Sequence, residues 1–154
     1  MTQENLKKIK EISRDFFAKM DFGIEVEVRA SQDSAVDVNL KLDEPQKLIG
    51  ERGQTLAEIQ HLLRAILRKQ VPVDAPFYVN VDINDYKKKK AEYLKEIARS
   101  LADEVSLTKK EKQLPAMTAF ERRIIHLELA SRGDVVTESI GQEPKRYIVV
   151  KSYP

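Results

Sequence analysis

The chain has 154 residues, 42% of them hydrophobic and 34% charged, and its net charge is +2. This composition predicts packed cores under a charged surface, in one domain or two small ones. The absence of cysteine, with only two histidines, excludes disulfides and thiolate chemistry and argues against a metal site or another cofactor. No apolar run approaches membrane-spanning length, so we expect a cytoplasmic protein without a membrane anchor of its own.

The first half of the chain predicts a helix, two strands, two helices and a third strand. Alternating apolar residues mark the strands "GIEVEVRA", "AVDVNLKL" and "FYVNVDI". Asp43 is the expected N-cap of the helix that begins near Pro45. The next helix is amphipathic, with apolar residues at three- and four-residue spacing: Leu56, Ile59, Leu62, Leu63, Ile66 and Leu67.

The second half predicts a long helix, a shorter helix and a closing β-hairpin. The long helix begins near Tyr86, and its apolar spacing predicts a buried stripe formed by Tyr93, Leu94, Ile97, Leu101 and Val105. Thr118 and Glu121 have capping-box spacing at the start of the shorter helix. The strands "VVTESI" and "RYIVVKS" flank the turn "GQEP". We therefore expect an α+β fold in two small domains, residues 1–83 and 84–154.

Gly50 and Gly53 lie three residues apart between two predicted helices. One interpretation is a helix C-cap followed by a tight turn. The other is a loop kept free of side chains so that another backbone can approach closely. The N–H groups at the start of the next helix, together with Arg52, would then favour a phosphate. Glu51 opposes this second interpretation, because its carboxylate repels anions.

The order of the elements around "IGERG" resembles a KH domain of the type II arrangement, α-β-β-α-α-β. The resemblance implies a groove for about four nucleotides of single-stranded RNA or DNA. It places Gly50, Glu51, Arg52 and Gly53 on the sugar–phosphate side. Three apolar residues beside the loop are either the floor of that groove or ordinary core: Ile49, Leu56 and Ile59.

Arg122 and His126 are four residues apart and therefore share one face of a helix. A guanidinium beside an imidazole can contact a phosphate and stack on a base, whereas the alternative is a charged face with a structural histidine. The segment from "LPAM" to "RYIVV" resembles the domain named for its Arg-x-x-x-His motif. The resemblance implies binding of single-stranded nucleic acid at Arg122 and His126, with Arg123 and Arg146 as neighbours.

The two domains in this order resemble the bacterial Jag (SpoIIIJ-associated) family across essentially the whole chain. Members join a KH domain to a C-terminal Arg-x-x-x-His domain. The gene commonly neighbours that of a YidC-type membrane insertase, so the resemblance permits a peripheral link to the membrane.

Four consecutive lysines, Lys87, Lys88, Lys89 and Lys90, begin the long helix. They are either a solvated helix start or a secondary basic patch between the two domains. Positive charge in the first turn opposes the helix dipole, and Asp85 or an anionic ligand would offset it. The second histidine, His61, is expected to have no role.

The favoured function is non-catalytic binding of single-stranded RNA, or of DNA, by a bacterial post-transcriptional regulator or RNA chaperone linked to the cell envelope or to division. Self-association, or pairing with another small KH protein, is compatible with this function. The alternative is a protein-interaction adaptor associated with a membrane insertase or the division machinery. A nuclease is disfavoured, because one histidine without a second general acid is a poor active site.

Overall fold

The computed structural model describes residues 1–154 as a mixture of helices and small sheets, which confirms the predicted α+β class. The chain divides into two units, Met1–Lys87 and Lys88–Pro154. No helix is both long enough and apolar enough to cross a membrane. The elements in chain order are α1 (Gln3–Ala18), β1 (Glu25–Ala30), β2 (Ala35–Lys41), α2 (Gln46–Ile49), α3 (Gln54–Gln70), β3 (Tyr78–Ile83), α4 (Tyr86–Thr108), β4 (Lys112–Gln113), α5 (Ala119–Leu129), β5 (Val135–Ile140) and β6 (Tyr147–Ser152).

Three strands form the sheet of the first unit, in the order β1-β2-β3. Strand β2 pairs antiparallel with β1 and parallel with β3. Since side chains alternate between the two faces of a strand, the apolar alternation read from the sequence places every second residue in one core with α1 and α3. The buried strand residues are Val28, Val36, Val38, Leu40, Val79, Val81 and Ile83.

Side chains from α3 cover the free edge of β3. Arg64 donates from Nη2 to the carbonyl of Val79 at 3.2 Å, and the Gln60 Oε1 accepts from the N–H of Val81 at 2.9 Å. An exposed strand edge invites pairing with another chain. Here those two backbone groups are already bonded, so the edge of β3 is protected at its centre.

The loop between α2 and α3 places Gly50 and Gly53 at φ angles of 73° and 78°. A Cβ atom on Gly50 would overlap the side chain of Thr55, and one on Gly53 would lie 3.1 Å from the ring of Tyr86. Both glycines are therefore required by the chain's own packing, in addition to their backbone conformation. Before this loop, Pro45 occupies the N-cap position of α2 and no side chain caps the helix. The expected Asp43 N-cap is therefore wrong.

Two polar side chains fix the start of α4. The Oδ1 of the buried Asp82 accepts from the N–H of Ile83 at 2.9 Å and from the N–H of Lys87 at 3.1 Å. The Asn84 amide makes two hydrogen bonds to the backbone of Leu42, at 3.1 and 2.8 Å. A carboxylate at the helix N-terminus offsets the positive charge of the first turn. The structure gives this role to Asp82, whereas the sequence had suggested the exposed Asp85.

The second unit contains the predicted hairpin of β5 and β6, in a sheet of order β4-β6-β5. The short strand β4 was not predicted, because two residues carry no periodic signal. The chain continues along β6 after β4, where the N–H of Leu114 donates to Ile148 at 2.9 Å and that of Met117 donates to Arg146 at 3.1 Å. The segment "LPAM" therefore leads directly from the sheet into α5, whose predicted capping box is present.

The buried face of α4 differs from the predicted stripe. Tyr93 is 56% exposed, so its predicted burial is wrong, and Ala98 and Ala102 are buried instead. Alanine gives a weak hydrophobic signal, yet its small side chain lets neighbouring elements approach closely. A similar difference occurs on α3, where Leu62 is largely exposed.

Gly50→Ala should destabilise the first unit more than Gly23→Ala. Both positions have positive φ, but a Cβ at Gly23 has nothing within 4 Å, whereas one at Gly50 overlaps Thr55. Strain of this kind costs about 1–3 kcal/mol, and the steric overlap adds to it at Gly50 only. Urea unfolding followed through amide NMR signals of the first unit measures the difference. Equal unfolding midpoints for the two variants would contradict the packing role of Gly50.

Candidate nucleic-acid interface

A buried arginine lies at the centre of the candidate site in the second unit. Arg122, on the second turn of α5, is 7% exposed. Its Nη1 donates to the carbonyl of Met117 and its Nη2 donates to the Oε1 of Glu143, both at 2.5 Å. The guanidinium thereby ties α5 to the segment before it and to the turn between β5 and β6. The carboxylate of Glu143 balances a charge that would be costly to bury alone.

Two hydroxyl groups on β5 hold the neighbouring cationic side chains. Thr137 and Ser139 are two residues apart and so face the same side of the strand. The Nδ1 of His126 lies 2.6 Å from the Oγ1 of Thr137, and the Nε of Arg146 donates to the Oγ of Ser139 at 3.3 Å. His126 and Arg146 therefore lie beside each other along β5, although they are 20 positions apart in the sequence.

The electrostatics of this group favour an anionic ligand. Partial burial, followed by the positive charges of Arg122 and Arg146, holds the pKa of His126 below its ordinary value. At neutral pH the imidazole is therefore uncharged in the free protein. A phosphate placed between these cations would favour the protonated imidazole and add a charge-assisted hydrogen bond. No group of His, Asp and Glu side chains in the chain could hold a metal ion.

The structure brings together three of the four residues predicted for this site: Arg122, His126 and Arg146. Arg123 is exposed on the outer face of α5, one helical turn from His126. Sequence reasoning missed Thr137, Ser139 and Glu143. The two-residue spacing of the hydroxyl residues on a predicted strand could have indicated a shared face. Glu143 lies in a turn and gave no such signal.

The residues predicted in the first unit lie in the loop after α2. Glu51 and Arg52 are exposed, and Arg52 has a left-handed conformation with φ 55°. Helix α3 begins after Gly53 with no side-chain cap, so the loop ends in free backbone N–H groups. Leu56 and Ile59 are core residues of this unit, whereas Ile49 packs partly buried against the core. A groove floor built from Leu56 and Ile59 is therefore not open in this structure.

The four lysines occupy different environments. Lys87 donates to Gln60 and Asn80, both at 2.8 Å, and desolvation lowers its pKa despite nearby Asp82. Lys90 lies 3.6 Å from Glu121. Lys88 and Lys89 are exposed. The run is thus not one uniform patch, since two of its members already have partners within the chain.

Comparison with protein families assigns the second half of the chain. Residues 92–152 match the family model of the domain named for the Arg-x-x-x-His motif. The matched segment contains the whole group built around Arg122, His126 and Arg146, and most of α4. This segment is an Arg-x-x-x-His domain. In it, the arginine of the motif is buried beneath the surface that its histidine helps to form.

Curated relatives extend the similarity over both units. A protein of Clostridium symbiosum named RNA-binding protein KhpB is 34% identical over 146 residues, 93% of this chain and 64% of that protein. Proteins of the same name in Lactiplantibacillus plantarum and Bacillus subtilis are 39% and 37% identical over 105 residues, which is 67% of this chain. The chain covers 31% and 50% of those two proteins, so it spans less than two thirds of each of the three relatives. These similarities support the resemblance to the Jag family.

Arg122→Ala should destabilise the Arg-x-x-x-His domain by about 1–3 kcal/mol, because the Met117 carbonyl loses its side-chain donor and the turn loses its link to α5. Glu143→Gln should have a smaller effect, since an amide oxygen can still accept from Arg122. Urea unfolding followed through amide signals of residues 92–152 measures both. If Arg122→Ala unfolds like the parent protein, the guanidinium does not hold the turn in place.

The pKa of His126 should lie below the ordinary histidine value of about 6.5, and Arg146→Gln should raise it by removing a nearby cation. An NMR pH titration of the imidazole C–H signals measures both values, with Lys110→Gln as a control of equal charge change. A bound polyanion should also raise this pKa, so affinity should strengthen as the pH falls through the pKa of the complex. A His126 pKa unaffected by Arg146→Gln would contradict the electrostatic coupling.

Proposed function

We propose that the protein binds single-stranded nucleic acid, chiefly RNA, without catalysing a reaction on it. The Arg-x-x-x-His domain would supply the main contact surface, formed by His126, Arg146 and the exposed Arg123. Arg122 would act mainly from beneath this surface, by holding the turn and by keeping His126 uncharged until a ligand binds. We further propose that the chain is a member of the Jag family and acts in the cytoplasm as a bacterial RNA-binding regulator.

One observation carries this proposal. His126 and Arg146 come from different elements, yet two adjacent hydroxyl groups of β5 hold them side by side. Repulsion between like charges makes such an arrangement unfavourable in the free protein, and a phosphate relieves it. The printed names of the curated relatives, all RNA-binding proteins, support RNA as the polyanion.

The first unit would provide a second, weaker contact. We propose that residues 1–83 act as a KH-like domain whose loop Gly50–Gly53 faces the sugar–phosphate backbone. The free N–H groups at the start of α3 and the side chain of Arg52 favour phosphate, whereas Glu51 disfavours it. Two modest sites on one chain raise the effective concentration at the second once the first has bound.

Arg146→Gln should weaken binding to a single-stranded RNA several-fold and reduce the slope of log affinity against log salt by about 0.7. Changing Glu51 and Arg52 together to Asp should weaken binding less, and Glu51→Gln alone should strengthen it. Fluorescence anisotropy across a salt series, with single-stranded RNA, single-stranded DNA and duplex, measures these effects. Lys110→Gln, an equal charge change just before β4, serves as the control.

The outcomes separate the parts of the proposal. Loss of affinity with Arg146→Gln and an unchanged response to the loop variants would leave the Arg-x-x-x-His domain as the one binding site. Equal losses with Arg146→Gln and Lys110→Gln would indicate a diffuse charge effect without a defined site. If the unmodified chain binds no single strand at low salt, the proposed function is wrong.

A further inference from the structure

Helix α5 presents two large apolar side chains to solvent beside the cationic group of the Arg-x-x-x-His domain. Phe120 is 54% exposed and Leu127 is 65% exposed. They are seven residues apart, so they lie two turns apart on one face of the helix. The exposed Arg123 lies between them, three residues after Phe120 and four before Leu127. We call this surface, formed by Phe120, Arg123 and Leu127, the α5 outer face.

The α5 outer face adjoins the surface proposed to contact phosphate. Arg123 and His126 are three residues apart, and such pairs are neighbours on a helix. From Phe120 to His126 the surface therefore changes from aromatic to cationic within two helical turns. Residues 120, 123, 127, 130 and 131 carry no carboxylate. The acidic residues of the helix lie elsewhere: Glu121 is buried in the capping box, and Glu128 pairs with Arg99.

We propose that Phe120 is a stacking platform for a base of the bound single strand, with Arg123 on its backbone and Leu127 against the adjacent base or sugar. This proposal rests on the proposed function, since it names a contact within the same complex. Exposed aromatic rings beside cationic side chains are how proteins hold unpaired bases without reading their sequence. Each base has a π face, so the contact would be tolerant of sequence.

A protein partner fits this surface less well. Stable protein interfaces bury on the order of 800 Å² on each partner. Two apolar side chains separated by an unpaired arginine expose far less than that. The absence of carboxylates also matches a polyanion better than a typical mixed-charge protein surface. A strand with one flat base and one phosphate per nucleotide suits alternating aromatic and cationic side chains.

The chain contains no tryptophan, which makes the test direct. Phe120→Trp introduces a single indole at the proposed platform and conserves its stacking ability. Leu107→Trp is the matched control, because Leu107 is 85% exposed and lies near the end of α4, in the same unit. Both variants are titrated with a single-stranded RNA and with an abasic ribose-phosphate strand of the same length.

The Phe120→Trp emission should be quenched by the RNA and much less by the abasic strand, while the Leu107→Trp emission should respond to neither. Phe120→Ala should reduce RNA affinity on the order of 5- to 100-fold, with the salt dependence unchanged because no charge is lost. Its affinity for the abasic strand should equal that of the unmodified chain.

The result that overturns the stacking role alone is distinct from failure of the proposed function. If Arg146→Gln weakens RNA binding but Phe120→Ala does not, or if the indole is not quenched, the strand binds without using the α5 outer face. A face used by a protein partner would give that result. If neither the unmodified chain nor any variant binds RNA, the proposed function itself fails, and the stacking role fails with it.

Discussion

The candidate interface depends on one buried guanidinium. Arg122 joins three segments that the fold would otherwise leave separate: helix α5, the Met117 carbonyl before it, and Glu143 in the hairpin turn. Because that turn leads into Arg146 and β6, fixing it also fixes where the second cation lies. The same positive charge helps to lower the pKa of His126. One interaction thus sets both the shape and the charge state of the surface, and this explains why a surface site needs an arginine that is itself almost inaccessible.

The two units solve a similar problem in different ways. In the first, Gly50 and Gly53 bring the chain close to Thr55 and Tyr86, so the loop is held in shape by packing while its N–H groups stay open. In the second, hydrogen bonds from β5 hydroxyl groups orient side chains that project from α5 and the turn. A backbone-formed site tolerates a neighbouring acid such as Glu51 poorly, since no side chain can move to compensate. A side-chain site can adapt, because His126 can take up a proton when an anion arrives.

Periodic features were readable from the sequence, and isolated ones were not. The α+β class, the helices, five of the six strands and the capping box at Thr118 all follow from spacing alone. The buried stripe of α4 was wrong at Tyr93 because hydrophobicity cannot tell a core position from an exposed aromatic on a helix boundary. Strand β4 has two residues and no period. The pairing of Arg122 with Glu143 joins a helix to a turn 21 residues later, which only tertiary structure can bring together. Consequently the motif identified the site, but the division between buried and ligand-facing residues needed coordinates.

The most direct test of this account follows the arginine side chains themselves during an NMR titration of the chain with single-stranded RNA. Nε–Hε signals report each guanidinium separately, and the His126 imidazole signals report protonation. The account predicts that RNA shifts the signals of Arg146, Arg123 and His126, with His126 becoming protonated, while the Arg122 signal moves little and remains slow to exchange. A large shift or rapid exchange of Arg122 on binding, with Arg146 unaffected, would contradict it.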